Sequence, residues 1–112
     1  MTEQAIKDLT GFLGLCLRAG QLTLGQDLCV GAIRGGKAAL ALLDEGASEN
    51  TRKRLSDSCR SHQTPLYLLP KGLLASAAGK DGRMVASLPG GGMAIRVSKL
   101  LSGETPYQHT ND

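Results

Sequence analysis

The apolar residues of this chain follow two kinds of pattern. In five segments they recur every three or four positions, which predicts amphipathic helices. Ser48 is a good N-cap residue for one of these helices, and Gly20 suits the left-handed conformation that ends another. The helices are predicted over residues 3–18, from Gly25 to the glycines at 35–36, over residues 49–61, from Pro70 to Ala78, and from the glycines at 90–92 to Leu101.

Short runs of consecutive apolar residues separate these helices and predict buried strands. The run at 38–43 is wholly apolar between turn residues, so we place it at the centre of a sheet. The other strands are predicted at 21–24, 66–69 and 84–88. Because strands and helices alternate, we predict one α/β domain over residues 1–102. Its mixed sheet of about four strands would have helices on both faces.

Two further expectations come from the same patterns. In the helix over residues 49–61, the residues at helical spacing are expected to face the core. They are Thr51, Leu55 and Cys59, with His62 directly after the helix. Residues 103–112 are mostly polar, and we predict that they form a flexible C-terminal tail.

Composition excludes several classes of protein. With 112 residues, 41% of them hydrophobic, the chain can bury a hydrophobic core without needing disulfide bonds or a structural metal ion. It has no apolar run long enough to span a membrane and no signal-peptide pattern at its start. Three widely spaced cysteines favour reduced thiols over a disulfide framework or a zinc site. We therefore expect a cytoplasmic protein that has no metal ion, cofactor or membrane partner.

The charges are unevenly distributed along the chain. The net charge is +3, yet residues 1–51 contain four Lys/Arg and six Asp/Glu, whereas residues 52–99 contain nine Lys/Arg and two Asp. Such a basic block favours a polyanionic partner, although a solvated surface with uneven charge would give the same count. The helix over residues 49–61 carries four of these cations, and we interpret them as its solvated face.

The sequence predicts no enzymatic activity. Gly31 to Lys37 imitates a phosphate-binding loop, but Ala38 replaces the hydroxyl that would hold magnesium, and the segment is predicted to end a helix. Cys59 and His62 lie three residues apart, and no third group is evident that would orient them for nucleophilic catalysis.

A phosphate-binding surface is a stronger hypothesis. The helix that begins at Gly25 has free N–H groups at its start, where phosphates bind. The turn of residues 79–83 is rich in glycine and carries Lys80 and Arg83. If the sheet brings this turn beside Gly25, the two segments form one anion site.

Several stretches of the chain resemble a known family. They are residues 12–22, Gly25, residues 32–34 and 36–38, Asp44, residues 47–48 and 50–51, Lys53, Cys59 and residues 77–80. This combination is similar to the bacterial YlxQ-type proteins of the kink-turn-binding ribosomal superfamily (the L-seven-Ae and L-thirty-e type). The similarity runs from about residue 10 to 101. It implies a three-layer α/β/α sandwich without enzymatic activity.

The resemblance also implies a ligand and a site. The ligand would be structured RNA, either kink-turn-like or ribosomal; we expect no DNA partner and a monomer. In the superfamily, RNA contacts the start of the second helix and the loop before the last strand. Carried over, these positions are Gly25, Gln26, Asp27, Leu28 and Gly31, then Arg34 and Lys37 further along, and Lys80, Arg83, Met84 and Val85 in the loop. The cations would hold phosphates, and Gln26 and Asp27 would contact base edges.

Two positions depart from the family pattern and favour a protein-interaction role. A basic residue is expected at Gly31, and lysine is frequent at Gln21 in relatives. One alternative is therefore a protein-interaction module of the same fold that has lost strong RNA binding. A second alternative is the substrate-binding domain of an RNA methyltransferase, which would act with a separate catalytic half.

Overall fold

Helices and strands form close to the boundaries that the apolar pattern predicts. The computed structural model describes residues 1–109. Its helices are α1 (Glu3–Arg18), α2 (Gln26–Arg34), α3 (Glu49–Ser61), α4 (Leu73–Ala78) and α5 (Gly92–Leu100). Its strands are β1 (Thr23–Leu24), β2 (Leu40–Asp44), β3 (Leu66–Leu69) and β4 (Val85–Leu88).

The four strands form one mixed sheet in the order β1-β4-β2-β3. Strand β4 runs antiparallel to both of its neighbours, whereas β2 and β3 are parallel. The parallel pair needs a crossover connection, and α3 supplies it. Strand β2 is buried along its whole length and lies between two other strands, which confirms the prediction that it is central.

The side chains of β2 alternate between two hydrophobic cores, because successive residues of a strand point to opposite faces. Leu40 and Leu42 pack in the core formed with α1, α4 and α5. Ala41 and Leu43 pack in the core formed with α2 and α3. The sheet is thus covered by helices on both faces, as predicted, and the α2–α3 layer is the one that carries the predicted site.

Helix ends follow the capping residues of the sequence. Gly20 is left-handed with φ +71°. The Gly20 N–H donates to the Leu17 carbonyl at 3.0 Å, and the Gln21 N–H donates to the Cys16 carbonyl at 2.8 Å. This pair of bonds is a Schellman motif. At the start of α3, Ser48 Oγ accepts a hydrogen bond from the Thr51 N–H at 3.2 Å, which confirms Ser48 as the N-cap.

Two details of the predicted pattern are wrong. His62 is exposed, because α3 ends at Ser61 and the helical spacing does not continue beyond the helix. His62 is the C-cap, and its Nδ1 lies 3.0 Å from the Ser58 carbonyl oxygen. Helix α4 begins at Leu73 rather than at Pro70, because Gly72 adopts a left-handed conformation (φ +87°) that no helical turn can include.

The segment after α5 returns to the sheet. The N–H of Tyr107 donates to the Leu66 carbonyl at 2.6 Å, and the N–H of His109 donates to Ser56 Oγ at 2.9 Å. These bonds place the segment beside α3 and along β3, which is an edge strand. Residues 110–112 of the predicted flexible tail lie outside the described residues, and the mobility of the tail stays a prediction.

Within residues 1–109, no helix combines the length and the apolar character that crossing a bilayer requires.

Candidate nucleic-acid interface

The start of α2 and the loop before β4 meet, as the phosphate-site hypothesis requires. The N–H of Gly25 donates to the Val85 carbonyl at 3.2 Å. Between the two segments lies a pocket of about 200 Å³. The residues that line it are Gly25, Gln26, Thr51, Gly82, Arg83, Met84 and Val85. Tertiary structure therefore creates one surface from two segments that are more than 50 positions apart in sequence.

The first turn of α2 is suited to an anion. Gly25 is its N-cap, with φ +100°, and has no side chain that could occupy the free N–H groups of the turn. The partial positive charge of a helix start adds to these donors. A phosphate oxygen is a suitable acceptor at such a position.

Arg83 contributes a second donor to the pocket. Its side chain is half-buried, and its Nε is buried without a hydrogen-bond partner in the part of the chain that the structure describes. A buried donor that lacks an acceptor is unfavourable. Arg83 is also among the residues that line the pocket, so its side chain adds a positive charge there that favours an anionic ligand.

Helix α3 also contributes to the site. Thr51 Oγ1 donates to Gln26 Oε1 at 2.8 Å and accepts from Ser48 Oγ at 3.1 Å. Arg54 Nη1 donates to Asp27 Oδ1 at 2.7 Å. The Asp27 side chain is 88% exposed, so its carboxylate remains open to a ligand.

Thr51 and Arg54 are site residues that the sequence reasoning missed. The pattern assigned Thr51 to the core and Arg54 to a solvated face. Their partners lie 25 and 27 positions earlier in the chain, and no local spacing links the two helices. Only the position of α3 beside α2 brings these side chains to the pocket.

The other predicted residues lie at different distances from the pocket. Leu28 is 69% exposed on the first turn of α2. Gly31 is exposed one turn later, and a Cβ there would meet no atom within 4 Å. Arg34 ends the helix and Lys37 follows it, about 13 Å along the axis from the helix start. Lys80 is exposed on the loop, two residues before the part that lines the pocket.

The basic residues of α3 do not form one free surface. Arg52 donates to the carbonyl oxygens of Ala47 and Glu45, and its guanidinium lies 6.0 Å from the centre of the Tyr107 ring. Arg60 Nη2 donates to the His109 carbonyl at 3.4 Å. The interpretation of this helix face as solvated is therefore wrong for Arg52, which is half-buried, whereas Arg60 remains exposed.

The cysteines have the properties of core residues. All three are free and buried. Burial raises the pKa of the Cys29 thiol to about 11, and burial together with the nearby Cys29 raises the pKa of the Cys59 thiol to about 12. Both thiols are thus protonated at neutral pH, whereas a catalytic nucleophile must be deprotonated. Within residues 1–109, no group of three or more His, Cys, Asp or Glu side chains is placed to hold a metal ion.

Comparisons with known proteins identify the family. No family model matches the chain. The RNA-binding protein YlxQ of Bacillus subtilis (strain 168) is 36% identical over 90 residues, which is 80% of this chain and 90% of the relative. The RNA-binding protein YlxQ of Enterococcus faecium is 30% identical over 104 residues, which is 92% of this chain and 100% of the relative.

Solved structures show the same fold. A protein of unknown function from Bacillus halodurans superposes with a TM-score of 0.78 at 32% identity, covering 84% of this chain and 96% of the other. A 15.5 kDa RNA-binding protein of Giardia lamblia superposes with a TM-score of 0.73 at 16% identity, covering 92% of this chain and 89% of the other. Because the identity is low, this similarity shows only that the two proteins share a fold. Because the two YlxQ proteins match this chain over most of their length, the chain belongs to the YlxQ family.

Proposed function

We propose that this protein binds structured RNA, without catalysis, through the surface where the start of α2 meets the loop before β4. The observation that carries this proposal is the pocket between them. There the uncapped first turn of α2 lies beside Arg83, whose Nε has no partner among the described residues. Both groups are donors, and the acceptor that suits them is a phosphate or a base oxygen.

The names of the two YlxQ relatives support RNA as the ligand. In the proposed complex, the helix start, Lys80 and Arg83 hold phosphates, and Gln26 and Asp27 contact base edges. Arg54 lies beside the first turn of α2, where its charge offsets that of Asp27. Arg34 and Lys37 extend this surface along the helix toward more distant phosphates.

The placement of the aromatic residues favours recognition of RNA shape over stacking of single-stranded bases. Phe12 lies in α1 with Arg96 above its ring, Tyr67 lies in β3, and Tyr107 packs beside α3. None of them lines the pocket. Stacking on aromatic side chains is the usual mode of single-strand binding. We therefore propose a folded RNA, either kink-turn-like or ribosomal, as the ligand.

The protonated state of the buried thiols supports a role without catalysis. We also propose a cytoplasmic location, because free cysteines persist in a reducing compartment and RNA is present there.

RNA binding can be measured by fluorescence anisotropy with a kink-turn hairpin and with a regular duplex of equal length, each at several salt concentrations. We expect tighter binding to the kinked RNA. The log–log salt dependence should have a slope of roughly −2 to −4, for about three to five phosphate contacts. The double variant Lys80→Ala/Arg83→Ala should weaken binding about tenfold or more and make the slope shallower by about two.

The matched control is Lys7→Ala/Lys99→Ala, which removes the same charge from exposed positions on α1 and α5, the helices on the opposite face of the sheet from α2. Equal losses in the two double variants would show nonspecific charge attraction and would overturn the proposed site. Weak RNA binding that no site variant changes would instead favour the protein-interaction module.

A further inference from the structure

We propose that α3 prepares the first turn of α2 for RNA: Thr51 orients the Gln26 amide so that it faces RNA as a donor, and Arg54 partly offsets the charge of Asp27, which faces RNA as an acceptor. Thr51 and Arg54 would be the positioning residues. This inference rests on the proposed RNA site.

A chain of hydrogen bonds determines the orientation of the Gln26 amide. Thr51 N–H donates to Ser48 Oγ at 3.2 Å, and the Ser48 hydroxyl donates to Thr51 Oγ1 at 3.1 Å. A hydroxyl has one proton to donate. The Thr51 proton is therefore directed to its remaining partner, Gln26 Oε1, at 2.8 Å. Because the amide oxygen is occupied, the amide NH₂ is the group left for a ligand.

Gln26 lines the pocket, so this orientation has a direct consequence for binding. Among the described residues, Oε1 has a hydrogen bond and Nε2 has none. A glutamine without such a partner can turn its amide over and offer either group. With the oxygen held by Thr51, Gln26 prefers an acceptor on the RNA, such as a purine ring nitrogen or a carbonyl oxygen.

The ion pair has the complementary effect on Asp27. A carboxylate only accepts hydrogen bonds, and near phosphates its charge is repulsive. Arg54 compensates that charge at one oxygen, 2.7 Å away, while the side chain stays 88% exposed. Exposed ion pairs are weak, so Arg54 does not prevent Asp27 from accepting a base amino group.

Thr51 and Arg54 act from the same side of α3, because residues three apart in a helix are neighbours on its surface. One holds Gln26 through a neutral hydrogen bond, and the other holds Asp27 through a charged one. A donor at Gln26 and an acceptor at Asp27 therefore lie side by side, and the polarity of Gln26 is set from outside its own helix. The RNA that fits best has an acceptor and an amino group side by side.

The first test needs no RNA. Thr51→Val keeps the branched shape and removes the hydroxyl, whereas Thr51→Ser keeps the hydroxyl. Thr10→Val is the matched control, because Thr10 bonds only to the Ile6 carbonyl of its own helix on the other face of the sheet. We expect ¹⁵N relaxation to show an ordered Gln26 side-chain amide in the wild type, in Thr51→Ser and in Thr10→Val, and a mobile amide in Thr51→Val. Equal mobility in the wild type and in Thr51→Val would overturn the inference.

The second test measures discrimination between RNAs. The probes are a kink-turn hairpin and copies of it in which single purines are replaced by 3-deaza or 7-deaza purines, which lack one acceptor, or by inosine, which lacks the guanine amino group. We expect the wild type to lose about fivefold or more in affinity at one acceptor-deleted position. Thr51→Val should lose this discrimination, and Thr51→Ser should retain it.

Arg54→Gln leaves the Asp27 charge without its counter-charge and should weaken RNA binding, while the penalty for inosine remains, because Asp27 still accepts the amino group. If Thr51→Val binds more weakly but discriminates as the wild type does, the inference fails and the proposed function stands. If the wild type binds no RNA of the panel, the proposed function fails, and with it the assignment of Gln26 and Asp27 as groups that face RNA.

Discussion

The N–H of Gly25 donates to the carbonyl oxygen of Val85 across 3.2 Å, and this bond joins the start of α2 to the start of β4. It continues the antiparallel pairing of β1 with β4, in which Leu24 lies opposite Ala86. The loop that carries Lys80 and Arg83 enters the sheet at this point. The pairing of a two-residue strand therefore places this loop beside the start of α2.

Gly25→Ala should destabilise the protein by about 1–3 kcal/mol. A Cβ at Gly25 would meet no atom within 4 Å, so the cost comes from the backbone, whose φ of +100° is unfavourable for any L side chain. Urea denaturation measures the free energy of unfolding. The control is Gly11→Ala, where the added Cβ also meets no atom but the residue lies inside α1; this change should stabilise by up to about 1 kcal/mol. Equal effects of the two substitutions would contradict the role of backbone strain.

Asp44→Ala should cost about 2–3 kcal/mol of stability. The buried Asp44 carboxylate accepts from the N–H of Gly46 at 2.7 Å and from that of Gly72 at 2.8 Å, so it links the end of β2 to the turn before α4. Asp44→Asn keeps one acceptor oxygen and should cost less. Chemical denaturation of both variants checks this order. Asp57→Ala, at an exposed position, should change stability by less than about 0.5 kcal/mol.

Arg52 and Lys53 are adjacent but should respond differently to truncation. Arg52→Ala removes the donors to the Ala47 and Glu45 carbonyls and the contact with the Tyr107 ring, so we expect a loss of about 1–2 kcal/mol in the free energy of unfolding. Lys53→Ala alters an exposed side chain and should have little effect on stability. Thermal denaturation followed by circular dichroism compares the two variants. A Lys53→Ala variant as unstable as Arg52→Ala would disagree with this account.

The buried thiols should react slowly in the folded protein. Because burial raises the pKa of Cys29 to about 11 and that of Cys59 to about 12, few thiolates form at pH 8, and a disulfide reagent should modify these cysteines rapidly only after denaturation. A group whose pKa is raised by folding stabilises the fold below its unfolded pKa. The free energy of unfolding should therefore decrease as the pH rises from about 9 toward 11–12. Rapid modification of either thiol at pH 8 without unfolding would contradict this prediction.

The local parts of the fold were predictable from sequence because their signals are local. Helical spacing and capping residues gave α1 and α3 at their observed bounds, since Ser48 and Gly20 satisfy backbone groups within a few residues of themselves. The same reasoning failed at His62 and at Gly72. At both positions one residue's backbone conformation ends a pattern that its neighbours would continue.

The candidate site was only partly predictable. Gly25 and Arg83 could be proposed from a glycine before a helix and a cation in a glycine-rich turn. Their meeting could not be proposed from spacing alone, because it depends on the strand order β1-β4-β2-β3. The resemblance to relatives suggested the same two segments but gave no indication of Arg54.

By itself, the sequence determined the alternation of helices and strands, the burial of an apolar central strand, and membership of a family. Each of these depends on the types of residues that lie close together along the chain. The tertiary structure decided which cations are engaged and which remain open. It ties Arg52 and Arg60 to backbone carbonyls, pairs Arg54 with Asp27, and places Arg83 beside the start of α2. Counting charges along the chain cannot distinguish engaged cations from open ones. Each charge interacts with its neighbours in space, and the packing of helices on the sheet determines which residues those neighbours are.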